Sequence, residues 1–404
     1  MTVAYDPRQP AVLADPYPIF ARLRDDAPVQ RSDILGGWVV TRYDDVKSAL
    51  NDGRFSADRI TPFLHHMDRS GRPVPTLARI VGNWAVFTDP PRHTRLRGLM
   101  KKAFTARAVA GLAPRIAAIV DDLIVALAGR ERIDLIADFA YPLPVTVIAH
   151  MIGVPAADHV LFKTWSDELA TFVGSALQTA DKYERAERAA GEMADYFRVA
   201  ITERRRAPGD DILSALIAAE ESGDVLGEDE LIACCVLLLF AGHETTANLI
   251  GNGIHALLRH DGELARLRET PALAESAVEE VLRYDGPTQA MVRIAAEDID
   301  LAGTPIDAGD RVFLMINAAN RDGAVFADPD RLDIARTPNP HIAFGYGIHF
   351  CLGAPLARLE GRIALPALAA RLDGLAFTDD PPRWLDSLVF RGMATLPLAV
   401  GEVA

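Results

Sequence analysis

A mainly α fold with a smaller β-rich part is what this sequence predicts, and three observations carry the prediction. Apolar residues recur at helical spacing through most of the chain beyond Leu112. One stretch, Asp229 to His260, is apolar on most sides and contains no proline. Strand-like pieces are short, confined to the front end and to residues 292–316.

Composition narrows the class. The 404 residues are 50% hydrophobic and 24% charged, as globular proteins are. Length alone allows two or three domains of about 150 residues each. No linker interrupts the sequence, which leaves a single domain over residues 1–404 open beside that division. Lys+Arg 42 against Asp+Glu 56 leaves a net charge of −14, which argues against a nucleic-acid partner. The start, MTVAYDPRQPAVLADPYP, has no basic segment followed by an apolar core, so no signal peptide is read there. The densest apolar run, Ile232 to Ala241, falls well short of the ~20 residues of a membrane span. A soluble, cytoplasmic protein without a membrane partner is expected. The three cysteines, Cys234, Cys235 and Cys351, form neither a disulfide framework nor C-x-x-C zinc spacing. Any cysteine chemistry falls on Cys351.

The elements follow in order. Gly37 to Thr41 reads as a strand after a Gly-Gly turn. Phe55 to Asn83, rich in Arg, His, Pro and Gly, reads as an irregular insertion, the kind that forms lids and binding loops. Leu112, Ile116, Ile119, Leu123 and Leu127 mark one helix face, and Ala186, Ala190, Met193, Phe197 and Ile201 mark another. Asp229 to His260 would run about 45 Å as a helix and should cross the centre of the protein. A helix over Pro271 to Tyr284 has proline at its start and Gly286-Pro287 just beyond its end. Strands are expected at Val292 to Ile294, Ile299 to Leu301 and Arg311 to Ile316. A turn-rich stretch, Arg321 to Pro340, leads to a glycine cluster, Phe344 to Gly353, and a last helix ending near Leu372.

Three constellations carry chemistry. In Phe344-Gly345-Tyr346-Gly347-Ile348-His349-Phe350-Cys351-Leu352-Gly353, three glycines surround one cysteine just before a helix. Glycine allows backbone to approach a flat ligand, and the helix start aims N–H groups at the sulfur. A buried structural cysteine beside a glycine turn is one rival reading, and a dinucleotide loop, which lacks its third glycine here, is the other; neither explains the whole run. Ala241-Gly242-His243-Glu244-Thr245-Thr246 places a carboxylate and hydroxyls inside the apolar helix, which is costly without a partner or a task. Ala241-Gly242 leaves a shallow place for a planar group, and the Thr245 hydroxyl can bond the carbonyl four residues back or a ligand. Zinc-protease spacing fails because position 247 is Ala. Glu280 and Arg283, three apart on one helix, read alone as an ordinary solvated pair, and Glu279 beside them as an ordinary charge.

In this order and at these separations, the three elements resemble the cytochrome P-450 superfamily of haem-thiolate monooxygenases. The cysteine segment is similar to its haem signature, complete from Phe344 to Gly353. Glu280 and Arg283 resemble its structural pair, with Arg331 of the turn-rich stretch as the third member and Leu332 where many relatives have Phe. The resemblance implies the P-450 fold, with haem b between the long central helix and the cysteine loop and Cys351 on the metal. It implies cofactor contacts from Ala241, Gly242, Phe344, Gly345 and Gly353, and propionate partners at His93, Arg97, Arg293 and His349. Thr245 and Glu244 are the implied catalytic pair, delivering protons on the face opposite Cys351.

The implied reaction is insertion of one atom of O₂ into a small, mostly apolar substrate. A peroxide-driven peroxygenase and a non-catalytic haem- or ligand-binding protein are the alternatives. Electrons are expected from a separate ferredoxin and ferredoxin reductase, docking on a basic face of Lys101, Lys102, Arg107, Arg358 and Arg362. Family topology puts the pocket walls at Phe63 to Phe87, Phe172-Val173, Leu238 to Thr245, Ala290 to Val292 and Phe390 to Met393. His65, His66, Arg69 and Arg72 lie in or near the Phe63 to Phe87 loop and either greet a carboxylate or, in the commoner case, face water.

Overall fold

In the computed structural model, which describes residues 4–174, 181–221 and 227–401, the long apolar stretch is one unbroken helix, Glu228–Arg259. Its start explains itself. The Glu230 carboxylate accepts the Gly227 N–H at 3.2 Å, and three acidic residues in the first turn suit the positive end of the helix dipole. Leu231 to Phe240 and Thr246 to Leu257 are buried. The helix is long and apolar enough to cross a membrane, but 72% of its most apolar window is covered by the protein itself. It packs against helices Pro142–Ile152, Lys182–Arg206, Ala274–Asp285 and Ala354–Arg371, so it is the centre of the core. Between Leu231 and Leu257 burial lapses only at Ala241, Gly242, Glu244 and Thr245.

The other helical expectations hold. Ala113–Val125 buries Ile116 and Ile119, and Lys182–Arg206 buries all five residues of its predicted apolar face. The Pro271 helix begins with a single 3₁₀ turn, Pro271–Leu273, before Ala274–Asp285. The β-rich part is a five-stranded sheet in the order Val29–Ser32, Gly37–Val40, Arg311–Met315, Ala290–Ala295, Phe55–Ser56. Gly37–Val40 and Arg311–Met315 are parallel and the remaining neighbours antiparallel, with Ser56 opposite Ile294. That last pairing brings the segment after Ser56 beside Arg293.

The Phe55 to Asn83 expectation is corrected. The segment is mostly helical, with Ile60–Arg69 and Pro75–Ile80 joined at Ser70 to Val74. Its glycines and prolines mislead because Gly71 and Pro73 mark only the joint, Pro62 and Pro75 fall in the first turns of the two helices, where proline is tolerated, and Gly82 sits in the closing 3₁₀ turn. Met67, Leu77 and Ile80 supply the buried side, against helix Lys182–Arg206.

Two further corrections concern charges on helix Ala274–Asp285. Glu280 and Arg283 are fully buried and paired twice, at 2.8 Å each. The third member is Arg336, whose Nε lies 3.1 Å from both Glu280 oxygens, and not Arg331, which is exposed and offers only its backbone carbonyl to Arg283. The turn at Asp333 causes the difference. Its backbone N–H donates to Glu280 at 2.9 Å and swings Arg336 back to the pair. Glu279 is no ordinary surface charge either. It accepts from Arg358 at 2.7 and 2.8 Å and from His341 at 3.0 Å, and these partners pull its carboxyl down to about 2. Together the contacts fix the chain that runs into Phe344.

Candidate active site

The cysteine loop is shaped by backbone. Gly345 and Gly347 sit at φ +74° and +69°, a region L side chains avoid, and a Cβ on Gly347 would lie 3.2 Å from the Leu50 carbonyl. The turn is closed by the Cys351 N–H donating to the Phe344 carbonyl at 2.9 Å. Helix Ala354–Arg371 starts three residues on, and the N–H groups of Gly353 and Ala354 point at the Cys351 sulfur. Burial pushes the thiol up, while those N–H groups and the Arg97 and Arg358 charges work against it.

The Cys351 side chain opens onto a cavity of ≈ 250 Å³. Its far wall is the central helix at Ala241, Gly242 and Thr245, with Phe344, His349 and Gly353 on the near side. An adjoining cavity of ≈ 200 Å³ shares Thr245, Met291 and His349 and adds Trp84, Phe87, Val173, Phe240, Glu244, Val292 and Phe390. Gly242 has a second reason to be glycine. A Cβ there would stand 2.7 Å from Ile148, so the residue sets the approach of helix Pro142–Ile152 as well as lining the cavity.

Around this space lie guanidinium and imidazole donors short of anions. Both ring nitrogens of His93 are buried without a hydrogen bond, and the His93 and His349 rings are 4.2 Å apart. Burial and the Arg293 charge push His349 down to about 3, and burial holds Arg293 down to about 10. The carboxylate near Arg293, Asp89, is already engaged by the Ser56 hydroxyl and the Ala57 N–H. Arg97 donates to the Phe350 carbonyl and lines the Cys351 cavity. Four donors awaiting two carboxylates, beside a sulfur at a helix start and a small-residue groove, fit a haem. The predicted residues are therefore brought together, Thr245 and Glu244 included.

Thr245 donates back to the Ala241 carbonyl at 3.3 Å, one of the two states expected of it. Glu244 reaches Asn248 weakly at 3.4 Å and also lines a separate polar cavity with Lys163, Asp167 and Tyr141. Burial, then the Asp167 charge, raises its carboxyl to about 7. A carboxyl raised in the folded state holds its proton where the unfolded chain has lost it. Stability from this source is full below the ordinary glutamate range and is lost as pH rises through about 7. Glu244→Gln is accordingly expected to gain thermal stability relative to wild type between pH 5 and pH 8. Melting curves of the haem-loaded proteins check this, and a difference independent of pH would contradict it.

Other expectations fare differently. Arg72 pairs with Glu184, His65, His66 and Arg69 are exposed, and none of the four lines either cavity. Of the basic face, Arg358 is tied to Glu279 and Arg362 to Glu275, while Lys101 and Arg107 are exposed; the Lys102 side chain lies outside the described residues. Sequence reasoning missed Arg59, which lines the Glu244 cavity, and Arg336. The signal for Arg59 was its place three residues after Ser56, whose strand partner Ile294 is the neighbour of Arg293.

A helical fold holding one cysteine sulfur against a groove in its central helix, ringed by propionate-type donors, is of the haem-thiolate class. The comparisons agree. The family model "Cytochrome P450" matches residues 37–381. The chain is 44% identical over 390 residues to cytochrome P450 107B1 of Saccharopolyspora erythraea, covering 95% of this chain and 94% of that protein. It is 41% identical over 395 residues to the vitamin D(3) 25-hydroxylase of Pseudonocardia autotrophica, covering 96% and 94%. The crystal structure of CalO2 superposes with a TM-score of 0.92 at 36% identity, covering 99% of this chain and all of that one. The chain belongs to the cytochrome P450 family. It is a haem-dependent monooxygenase, and its reaction requires O₂ and a redox partner.

Proposed function

We propose that this monooxygenase hydroxylates or epoxidises a mostly apolar small molecule held in the cavity beside Glu244, with Cys351 as the haem ligand. The observation that carries the reading is the shared wall. Thr245 borders both the cavity that receives the Cys351 sulfur and the apolar cavity next to it. Bound there, haem would supply O₂ activation and transfer of one oxygen atom to carbon. His93, Arg97, Arg293 and His349 would hold its propionates by charge-assisted hydrogen bonds.

The chain's own residues then divide the remaining work. Trp84, Phe87, Phe240 and Phe390 exclude water and grip the substrate's apolar body. Glu244, bordering a polar cavity on one side and the substrate cavity on the other, takes up a proton from the first and releases it toward the second. A carboxyl raised to about 7 can do both near neutrality. Thr245, freed from the Ala241 carbonyl, passes the proton on and orders water at the groove. The name of the vitamin D(3) hydroxylase supports an apolar substrate here.

For the redox partner we propose a ferredoxin reduced by its own reductase, in the cytoplasm. The exposed Lys101 and Arg107 and the exposed apolar side chains of Tyr346, Ile348 and Phe350 on the cysteine loop support docking on that side. Thr245→Ala tests the proton role. It is expected to keep haem and substrate binding while diverting most consumed O₂ to hydrogen peroxide. Product and peroxide measured per O₂ consumed decide it, and unchanged coupling would remove Thr245 from the mechanism.

A further inference from the structure

Arg59, Arg97, Arg293 and His349 line the two adjoining cavities, with His93 packed against His349, and the cofactor's two carboxylates account for all of these but one. That one is Arg59. It follows the short strand Phe55–Ser56 and precedes helix Ile60–Arg69, so the sheet pairing of Ser56 with Ile294 fixes where it stands. Its side chain is half-buried, with the guanidinium over the Phe87 ring at 4.6 Å. Among the described residues no carboxylate or carbonyl pairs with its side chain, and the charge that acts on it is another cation, Arg293. Burial and that like charge push it down to about 10. A guanidinium so placed is unfavourable unless an anion arrives, because an aromatic face offsets only part of the lost hydration.

The position separates Arg59 from the sulfur side. It lines the cavity that holds Glu244, Phe240, Val173 and Phe390, none of which borders the Cys351 cavity, and Arg59 does not border that cavity either. Most of the remaining lining is apolar, including Trp84, Val86, Leu237, Val292 and Val389, and the polar exceptions are Thr245, Thr288 and the propionate donors Arg293 and His349. With Arg293 and His349 assigned to the propionates, Arg59 is the guanidinium left over at the edge of a largely apolar chamber, the arrangement that orients an amphipathic acid.

We propose that Arg59 is a specificity residue that anchors a carboxylate on the substrate, so that the enzyme oxidises organic acids whose apolar body lies along Phe240 and Phe390. This rests on the proposed substrate cavity and narrows its occupant. The acid group is held at Arg59 and the apolar body extends past Thr245, so oxidation falls on carbon remote from the carboxylate. Phe87 contributes by fixing the guanidinium plane, which leaves its edge donors free for two oxygens.

The test uses the haem-loaded full chain and two matched probe sets, decanoate with decan-1-ol and 4-butylbenzoate with 4-butylbenzyl alcohol. Binding is read by the substrate-induced spin-state shift. The wild type is expected to bind at least one acid about 10-fold more tightly than its alcohol, the range for a charge-assisted pair. Arg59→Gln should lose that preference, keep the alcohol affinity within about 2-fold, and retain full haem content with an unchanged carbon monoxide spectrum. Arg59→Lys should restore part of the preference, since it returns the charge without the fork. An acid preference that survives Arg59→Gln, or is absent from the wild type, overturns the proposal. So does loss of haem from Arg59→Gln, which would assign the residue to the cofactor. A wild type lacking the thiolate carbon monoxide band would bring down the active-site reading itself, and this proposal with it.

Discussion

Cys351→Ala is expected to give a folded protein whose monooxygenase turnover falls to background. The sulfur faces a cavity rather than the packed core, and the backbone hydrogen bond that closes the loop, Cys351 N–H to Phe344 carbonyl, does not involve the side chain. Removing one cavity-facing sulfur therefore costs little packing. It does remove the group that the Gly353 and Ala354 N–H donors are arranged around. Haem content should drop, because the four propionate donors would then be the main hold on the cofactor. Circular dichroism against haem absorbance separates the outcomes: native helical signal with lost turnover is expected. Turnover retained by Cys351→Ala would show that the ligand lies elsewhere, and the buried Cys234 and Cys235 offer no access to the cavity.

The second large effect is on stability. Glu280→Ala strips the common partner from Arg283 and Arg336 and from the Asp333 and Asn339 donors. Leaving buried charge uncompensated typically costs about 3–5 kcal/mol. Native stability is typically only about 5–15 kcal/mol, so the loss is a large share of the whole. The damage also spreads to function. Asn320 accepts the Ile342 N–H through its side chain at 2.8 Å while its carbonyl accepts from Arg283, linking the network to the run into Phe344. Glu280→Ala should therefore shift the denaturant midpoint far down and fail to retain haem. Arg54→Ala, whose pair with Asp52 is in solvent, should leave both unchanged. Equal midpoints in the two variants would refute the structural role given to Glu280.

What was legible in the sequence was what lies close together along it. The cysteine loop, the Glu244-Thr245 pair and the central helix declare themselves by spacing within about one to nine turns of a single element. Contacts between distant segments were less legible. Arg336 reaches Glu280 across 56 residues because of a turn at Asp333 that no local pattern announced. Arg331, nearer the familiar motif, drew the assignment instead. The residues from Phe55 to Asn83 looked irregular because glycine and proline dominate the eye, whereas the buried Met67, Leu77 and Ile80 decide the structure. Arg59 shows the same limit. Its meaning depends on Phe87, which stacks under its guanidinium, and on the cavity that both share with Phe390.

Electrostatics were the least predictable. Glu279 seemed ordinary until Arg358 and His341 closed on it, and that pairing also takes Arg358 out of the basic face. Net charge cannot report such local neutralisation. Gly242 carries a related lesson, since the residue that opens the groove also lets Ile148 approach the central helix. Gly242→Ala would act on both.

The most direct test of the account is the carbon monoxide difference spectrum of the dithionite-reduced wild-type protein. A Soret band at the far-red position characteristic of cysteine-ligated haem is the predicted result, and it would place an intact thiolate where Cys351 meets the cavity. A band at the shorter wavelength of imidazole-ligated haem, or no haem absorbance after haem is supplied, would contradict it.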